Sequence, residues 1–292
     1  MTSENEHIGK EERLDEESEK LFKSIKPPFS KTKDELWLEL NSKLAVAEKS
    51  KPVVRELNWF MYAAAASVVL VFGLGGLFAK LHEVQVVAMN GEHLTELLPD
   101  GSEVVLNAGS ELSYHPYWWW ANRDVAFEGE GFFSVQKGSN FTVVSNNGTT
   151  EVLGTSFNVN SRWESYEVLC LTGSVRVSND GGKVELAPNE IAISTSIGGL
   201  EKSLIGNKEE VVGWLQNKFF FAASPLNEVI REVELQYDVQ VQFSDENSAQ
   251  LIYSGYFNRT ETVDEVLDII GQAMGLKFVK EGASTYTVSQ AN

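Results

Sequence analysis

The chain has 292 residues, a formal net charge of −18, and 42% hydrophobic and 11% aromatic content. That length fits about two folded domains, and the apolar share is enough for packed cores. The acidic balance excludes nucleic acid as a partner, because phosphate binding needs clustered Lys and Arg, and the lone Cys170 excludes an intrachain disulfide.

The first stretch is crowded with Glu, Lys and Ser, and its Leu14, Leu21, Phe22 and Ile25 fall near one face of a helix that Pro27 and Pro28 end. Thr32 with Glu35 makes a capping-box pattern, and Trp37, Leu40 and Leu44 continue as the apolar stripe of a second helix. So small a segment cannot supply a core of its own. Leu21, Phe22, Trp37, Leu40 and Leu44 are therefore candidate partner-binding residues on residues 1–56, ordering as they dock. Packing of the helices on each other or on a membrane surface is the alternative.

Residues 57–80 follow, with no charge before Lys80. Roughly 20 apolar residues in a helix rising about 1.5 Å each cross a hydrocarbon core about 30 Å thick. More than fifty residues precede this run, so a retained anchor is expected rather than a cleaved signal peptide. Lys43, Lys49, Lys51 and Arg55 precede it and only Lys80 closely follows, so the positive-inside rule places the amino terminus in the cytoplasm and the remainder outside.

From 82 to 205 the period changes to alternation: Val84 and Val86, Val104 and Leu106, Leu112 and Tyr114. The turn chemistries Pro99-Asp100-Gly101, Asn107-Ala108-Gly109, Asn146-Asn147-Gly148 and Asn179-Asp180-Gly181-Gly182 separate short strands. An all-β domain, solenoid or sandwich-like, is expected. Gly129 and Gly131 flank Glu130 where a bulge would re-aim the chain, and Phe132, Phe133 and Phe141 are expected core. Trp118, Trp119 and Trp120, after Tyr117, cannot all enter one core from an alternating strand. Either the loop folds over its own rings, the reading favoured here, or exposed rings dock a sugar, a partner protein or a membrane.

LPDGSEVVLNAGSELSY (Leu98 to Tyr114), RDVAFEGEGFFSV (Arg123 to Val135), FTV (Phe141 to Val143), VLGTSFNV (Val152 to Val159) and LTGSVRV (Leu171 to Val177) stand in that order. Together they resemble the successive motifs of the FecR family. The resemblance implies a periplasmic sensor on a single-pass inner-membrane protein that regulates an extracytoplasmic-function sigma factor held at its cytoplasmic end. Where the family has a Pro-Gly-Gln turn, this chain has Pro188-Asn189-Glu190; Asn also tolerates the left-handed conformation, so only a local change is expected. The resemblance further implies a chemical option at Gly154-Thr155, since some members cleave themselves there when the Thr hydroxyl attacks the preceding carbonyl. No His lies nearby to activate that hydroxyl, so a turn and a strand start are favoured over catalysis.

Residues 217–292 repeat themselves. At an offset of 37, Leu226 falls over Val263, Val229 over Val266, Val233 over Ile270 and Val239 over Leu276. Each unit reads as strand, helix (Pro225 to Tyr237, then Thr262 to Met274) and strand, with a final strand at Thr285 to Ser289. Two βαβ repeats make an α/β two-layer sandwich of two helices on one sheet. This segment resembles the carboxyl-terminal domain of FecR-like regulators, itself similar to the short signalling domain of secretins and TonB-dependent receptors.

The expectation is thus a multidomain membrane protein that relays a signal from a TonB-dependent outer-membrane receptor to a sigma factor, as an anti-sigma factor. A membrane-tethered carbohydrate-binding module, with Trp118 to Trp120 stacking on glycan, is the alternative. His7, His82, His93 and His115 are scattered, and no cofactor, metal or hydrolase pattern is present.

Overall fold

The computed structural model describes residues 18–25, 31–47, 59–195 and 197–291. Leu14, Pro27, Pro28, Lys49, Lys51, Arg55 and the first two residues of the expected span lie outside this set. By contacts the chain divides into two units, Met1–Ala65 and Ala66–Asn292.

In the first unit residues 18–24 are helical and helix α1 spans Lys33–Ala47. The Thr32 backbone N–H donates to the Glu35 carboxylate at 2.8 Å, which is the glutamate half of the expected capping box. Lys31, just before α1, and Lys43 within it both pair with Glu39.

Helix α2, Trp59–Leu81, crosses the boundary between the units. It has 23 residues, none buried, and is long and apolar enough to cross a membrane. At about 1.5 Å per residue it extends about 34 Å, a little more than a hydrocarbon core.

Thirteen strands follow. They begin with β1 (Val84–Ala88), β2 (Leu94–Leu97), β3 (Glu103–Leu106), β4 (Ser110–Tyr114) and the long β5 (Arg123–Ser134). Next come β6 (Phe141–Ser145), β7 (Gly148–Val152), β8 (Ser156–Arg162) and β9 (Ser165–Cys170). The last are β10 (Val175–Asn179), β11 (Gly182–Leu186), β12 (Glu190–Ser194) and β13 (Leu200–Leu204). They form a sandwich rather than a solenoid. One sheet runs β11-β10-β7-β6-β5-β4-β1 and the other β2-β3-β5-β8-β9-β12-β13, so β5 belongs to both.

The change of sheet falls between Glu128, which pairs with Glu111, and Gly129, which pairs with Ser161. Gly129 has φ of 108°, and a Cβ there would lie 2.6 Å from the Ser110 Cα, so only glycine lets β5 pass that close. The bulge expected at this point is a crossing from one sheet to the other. Phe127, Phe133, Phe141, Phe157 and Tyr166 fill the space between the sheets, with the Phe133 and Phe157 rings stacked at 5.1 Å. Phe132, expected inside with Phe133, points the other way because strand neighbours alternate, and packs on the carboxyl-terminal core. Asn189 takes the left-handed conformation, φ of 67°, as its substitution for glycine requires.

The short helix α3 (Glu209–Val212) and a 3-10 turn, Gly213–Gln216, lead into the last segment. It contains β14 (Lys218–Pro225), α4 (Leu226–Tyr237), β15 (Gln240–Phe243), α5 (Glu246–Ala249) and β16 (Ile252–Asn258). After these come α6 (Val263–Met274), β17 (Leu276–Lys280) and β18 (Thr285–Gln290). Both long helices have 12 residues and start at Leu226 and Val263, the expected offset of 37. The single sheet expected beneath them is instead two. β14 pairs antiparallel with β16, while β18 lies between β15, parallel to it, and β17, antiparallel to it. The first strands of the two repeats pair with each other, and the second strands meet only through β18. Leu226, Val229, Ile230 and Val233 of α4 and Val266, Leu267 and Ile270 of α6 form the core with Phe219 and Phe257.

Candidate signalling joint and partner-binding surfaces

The outer face of the sheet that contains β3, β5 and β8 meets α4 across a layer of polar side chains. Glu130 on β5 is buried, and its carboxylate accepts from Asn107 Nδ2 at 2.8 Å and from Asn158 Nδ2 at 3.1 Å. Arg162, at the end of β8 and 6% exposed, has its Nη1 3.7 Å from Glu130. The same Nη1 donates to Glu232 of α4 at 2.6 Å, and Nη2 donates to the Ala108 carbonyl at 2.7 Å. Gln236, one turn further along α4, donates to Asn107 Oδ1 and to Glu232. Its amide nitrogen is thus fully used, so Gln236 Oε1 accepts from His93 Nε2 at 3.1 Å. Trp214, from the 3-10 turn, donates to Asn158 Oδ1 at 3.3 Å and meets the His93 ring edge-on at 5.5 Å.

Two carboxylates therefore share one guanidinium in a largely buried layer. Burial pushes the Glu130 carboxyl up to about 7 against the pull of Arg162, and Glu232 pushes the same way as burial. Burial likewise raises Glu167 on β9 to about 7. Glu130, Glu167 and Glu232 line one cavity of about 250 Å³ with Asn160, Trp214 and Phe220. Backbone contacts flank the layer: Gly91 N–H donates to the Leu235 carbonyl at 2.7 Å, and a Cβ on Gly109 would strike the Leu235 side chain at 2.7 Å.

The stripe on α1 is open. Trp37 is 65% exposed, Leu40 and Leu44 are exposed, and so are Leu21 and Phe22 on the preceding helical turn.

The aromatic cluster divides. Pro116–Trp118 form a 3-10 turn, from which only Trp119 enters the core, edge-on to Tyr114 and Phe141. Trp118 is half-buried, Tyr117 is exposed and Trp120 is 81% exposed. The favoured self-burying loop therefore holds for Trp119 and fails for Trp120. Trp119 is not available to any partner, and Trp118 and Trp120 are tilted 56° to each other, so the three rings make no flat platform for a sugar.

The model of the FecR protein family matches residues 85–176, and that of the FecR carboxyl-terminal domain matches residues 218–287. The first covers the motifs of β3 to β10, the second the repeat. This chain belongs to the FecR family. Two crystal structures, each described as that of an anti-sigma factor from Parabacteroides distasonis ATCC 8503, superpose on it with a TM-score of 0.66. They are 29% and 28% identical, and each match covers 72% of this chain and all of the other. No curated protein matches the chain.

Within this FecR protein Gly154 and Thr155 lie between β7 and β8. Gly154 has φ of 143°, and a Cβ there would stand 2.6 Å from the Lys137 Cα, so glycine serves close approach of two backbones. Thr155 is buried and its hydroxyl has no hydrogen-bond partner among the described residues. The cavity beside it is lined by Lys137, Glu151, Arg176 and Glu185 and by no histidine. No group of three or more His, Cys, Asp or Glu side chains fit to hold a metal ion occurs among the described residues.

The motif stretches contain Asn107, Glu130 and Asn158, but nothing in them brings these side chains together or to α4. The residues of the joint come from six separate places in the chain, His93, Asn107, Glu130, the strand from Asn158 to Arg162, Trp214 and α4, and their individual types are ordinary. On α4 the legible trace is Gln236, a polar side chain at the position of the stripe that continues Val229 and Val233.

Proposed function

We propose that this FecR protein is a single-pass membrane anti-sigma factor. In this reading α2 crosses the inner membrane, residues 1–56 hold an extracytoplasmic-function sigma factor in the cytoplasm, and residues 82–205 and 217–292 form two periplasmic domains. The observation that carries the reading is the FecR match on both halves of the segment after α2, joined to an anti-sigma factor as structural neighbour. The exposed apolar stripe of α1 supports the sigma-binding role, because a helix with Trp37, Leu40 and Leu44 in water gains stability only when a partner covers them.

The signal enters from a TonB-dependent receptor in the outer membrane. The receptor's signalling domain would dock on the carboxyl-terminal domain, where among the described residues β14 and β16 pair only with each other and each leaves an unpaired edge. The polar layer of Glu130, Arg162, Glu232 and Gln236 then couples that domain to the β-sandwich. A receptor acts only through a difference in its affinity for two arrangements of this joint.

Trp37→Ala in the full-length protein is expected to abolish co-purification of the sigma factor from detergent-solubilised membranes, with the protein itself recovered at its usual level. Undiminished co-purification removes α1 as the sigma-binding element.

A further inference from the structure

The loop carrying Trp118 and Trp120 stands where α2 ends. The Tyr117 ring lies 5.2 Å from the His82 ring and 6.4 Å from that of Phe78, and His115 Nδ1 is 3.1 Å from the His82 carbonyl. Phe78 is one turn inside the end of α2 at Leu81. A span of about 34 Å against a core of about 30 Å puts that last turn at the level of the lipid headgroups. Tyr117 is held at the same level. Trp and Tyr are the side chains that favour this zone, since an apolar ring and a polar N–H or O–H are both satisfied there.

The loop's construction fits that setting. Trp119 is buried against Tyr114 and Phe141 as a keel, while Trp120, 81% exposed, and Tyr117 are turned out. From His115 to Asn122 there is no acidic side chain, in a chain whose net charge is −18. Nor is there a lysine or arginine in the stretch, so attraction to anionic lipid is not what would hold it.

We propose that residues 116–120 are a second membrane contact, with Trp120, Trp118 and Tyr117 seated among the headgroups of the bilayer that α2 crosses. The proposal rests on α2 being a membrane span. A protein carrying this loop has its β-sandwich fixed against the membrane by two attachments rather than hung from one.

The test uses the full chain, spin-labelled singly at Trp120→Cys or Tyr117→Cys, in nanodiscs of phosphatidylethanolamine and phosphatidylglycerol. Buried Cys170 stays unlabelled. References are Val71→Cys in α2 and Ile197→Cys, 93% exposed in the β12–β13 turn. Relaxation by oxygen and by a water-soluble nickel complex reads depth. The expected result is a depth at 117 and 120 between those of the two references, unchanged when phosphatidylglycerol is left out or when protein is diluted tenfold in lipid. Readings at 117 and 120 equal to that at 197, with 71 still in hydrocarbon, overturn the loop contact alone. A water-like reading at 71 overturns the anchor and the proposal together. Protection lost on dilution assigns the face to a second copy of the chain and also overturns it.

Discussion

Glu130 is a buried carboxylate flanked by two glycines, and one guanidinium serves both it and Glu232. Its folded value of about 7 lies above the ordinary carboxylate value of 4.5. The folded protein therefore binds more protons than the unfolded chain between those values. Stability from this group is fully present below about 4.5 and is lost as pH rises through about 7. Thermal melts of the full-length protein, read on its β-sheet signal, should accordingly show a lower midpoint at pH 8 than at pH 5.5. Glu167 titrates in the same window for the same reason, so Glu130→Gln is expected to reduce this slope by about half rather than abolish it. A slope identical to that of the parent protein would show that Glu130 does not carry the dependence.

Helices α4 and α6 are one sequence pattern used twice and closed in two ways. Thr262 caps α6 with a full capping box, accepting from the Glu265 N–H while the Glu265 carboxylate receives the Thr262 N–H. At the equivalent place α4 starts from Pro225 with no side-chain cap. Thr262→Ala is expected to cost about 1 kcal/mol in urea unfolding, read from the midpoint at unchanged slope. The helices were legible because each stripe recurs at 37 residues and helical periodicity is local information. The division of the strands into two sheets was not legible. A strand's own residues state which face is buried, as Phe219 and Phe257 do, but they do not state which neighbour it pairs with. Burial of the whole aromatic loop was not legible for a related reason: the run sits not in a strand but in a 3-10 turn that ends at Trp118 with Trp119 as its cap, so strand alternation does not say which ring turns inward. The polar joint needs residues as distant as Asn107 and Gln236 to meet, and no window of sequence contains both.

Across the whole unit from Ala66 on, the β-sandwich and the carboxyl-terminal segment are joined by apolar packing of Val105 and Phe132 and by a buried polar layer that centres on Arg162. Arg162→Met leaves Glu130 and Glu232 facing each other without their cation. A loss of about 3–5 kcal/mol is expected at pH 8, since removing one partner strands a buried charge. The loss should be smaller at pH 5.5, where Glu130 takes up a proton, and hydrogen exchange should locate it in α4 and the end of β8. A uniform loss over the whole sandwich would argue that Arg162 supports the fold and not the joint.

The pairing of β15 with β18 sets an order of events during synthesis. A chain delivered from its amino terminus presents β14, α4 and β15 first, yet β15 has no ladder until β18 arrives, and β14 has none until β16 does. The first repeat therefore cannot finish folding by itself as it emerges. Both repeats close together once Thr285–Gln290 have emerged, and a protease that cuts before β18 removes the shared partner of β15 and β17. Such a cut would strip both repeats of a strand partner at once, leaving no intermediate with a single complete repeat.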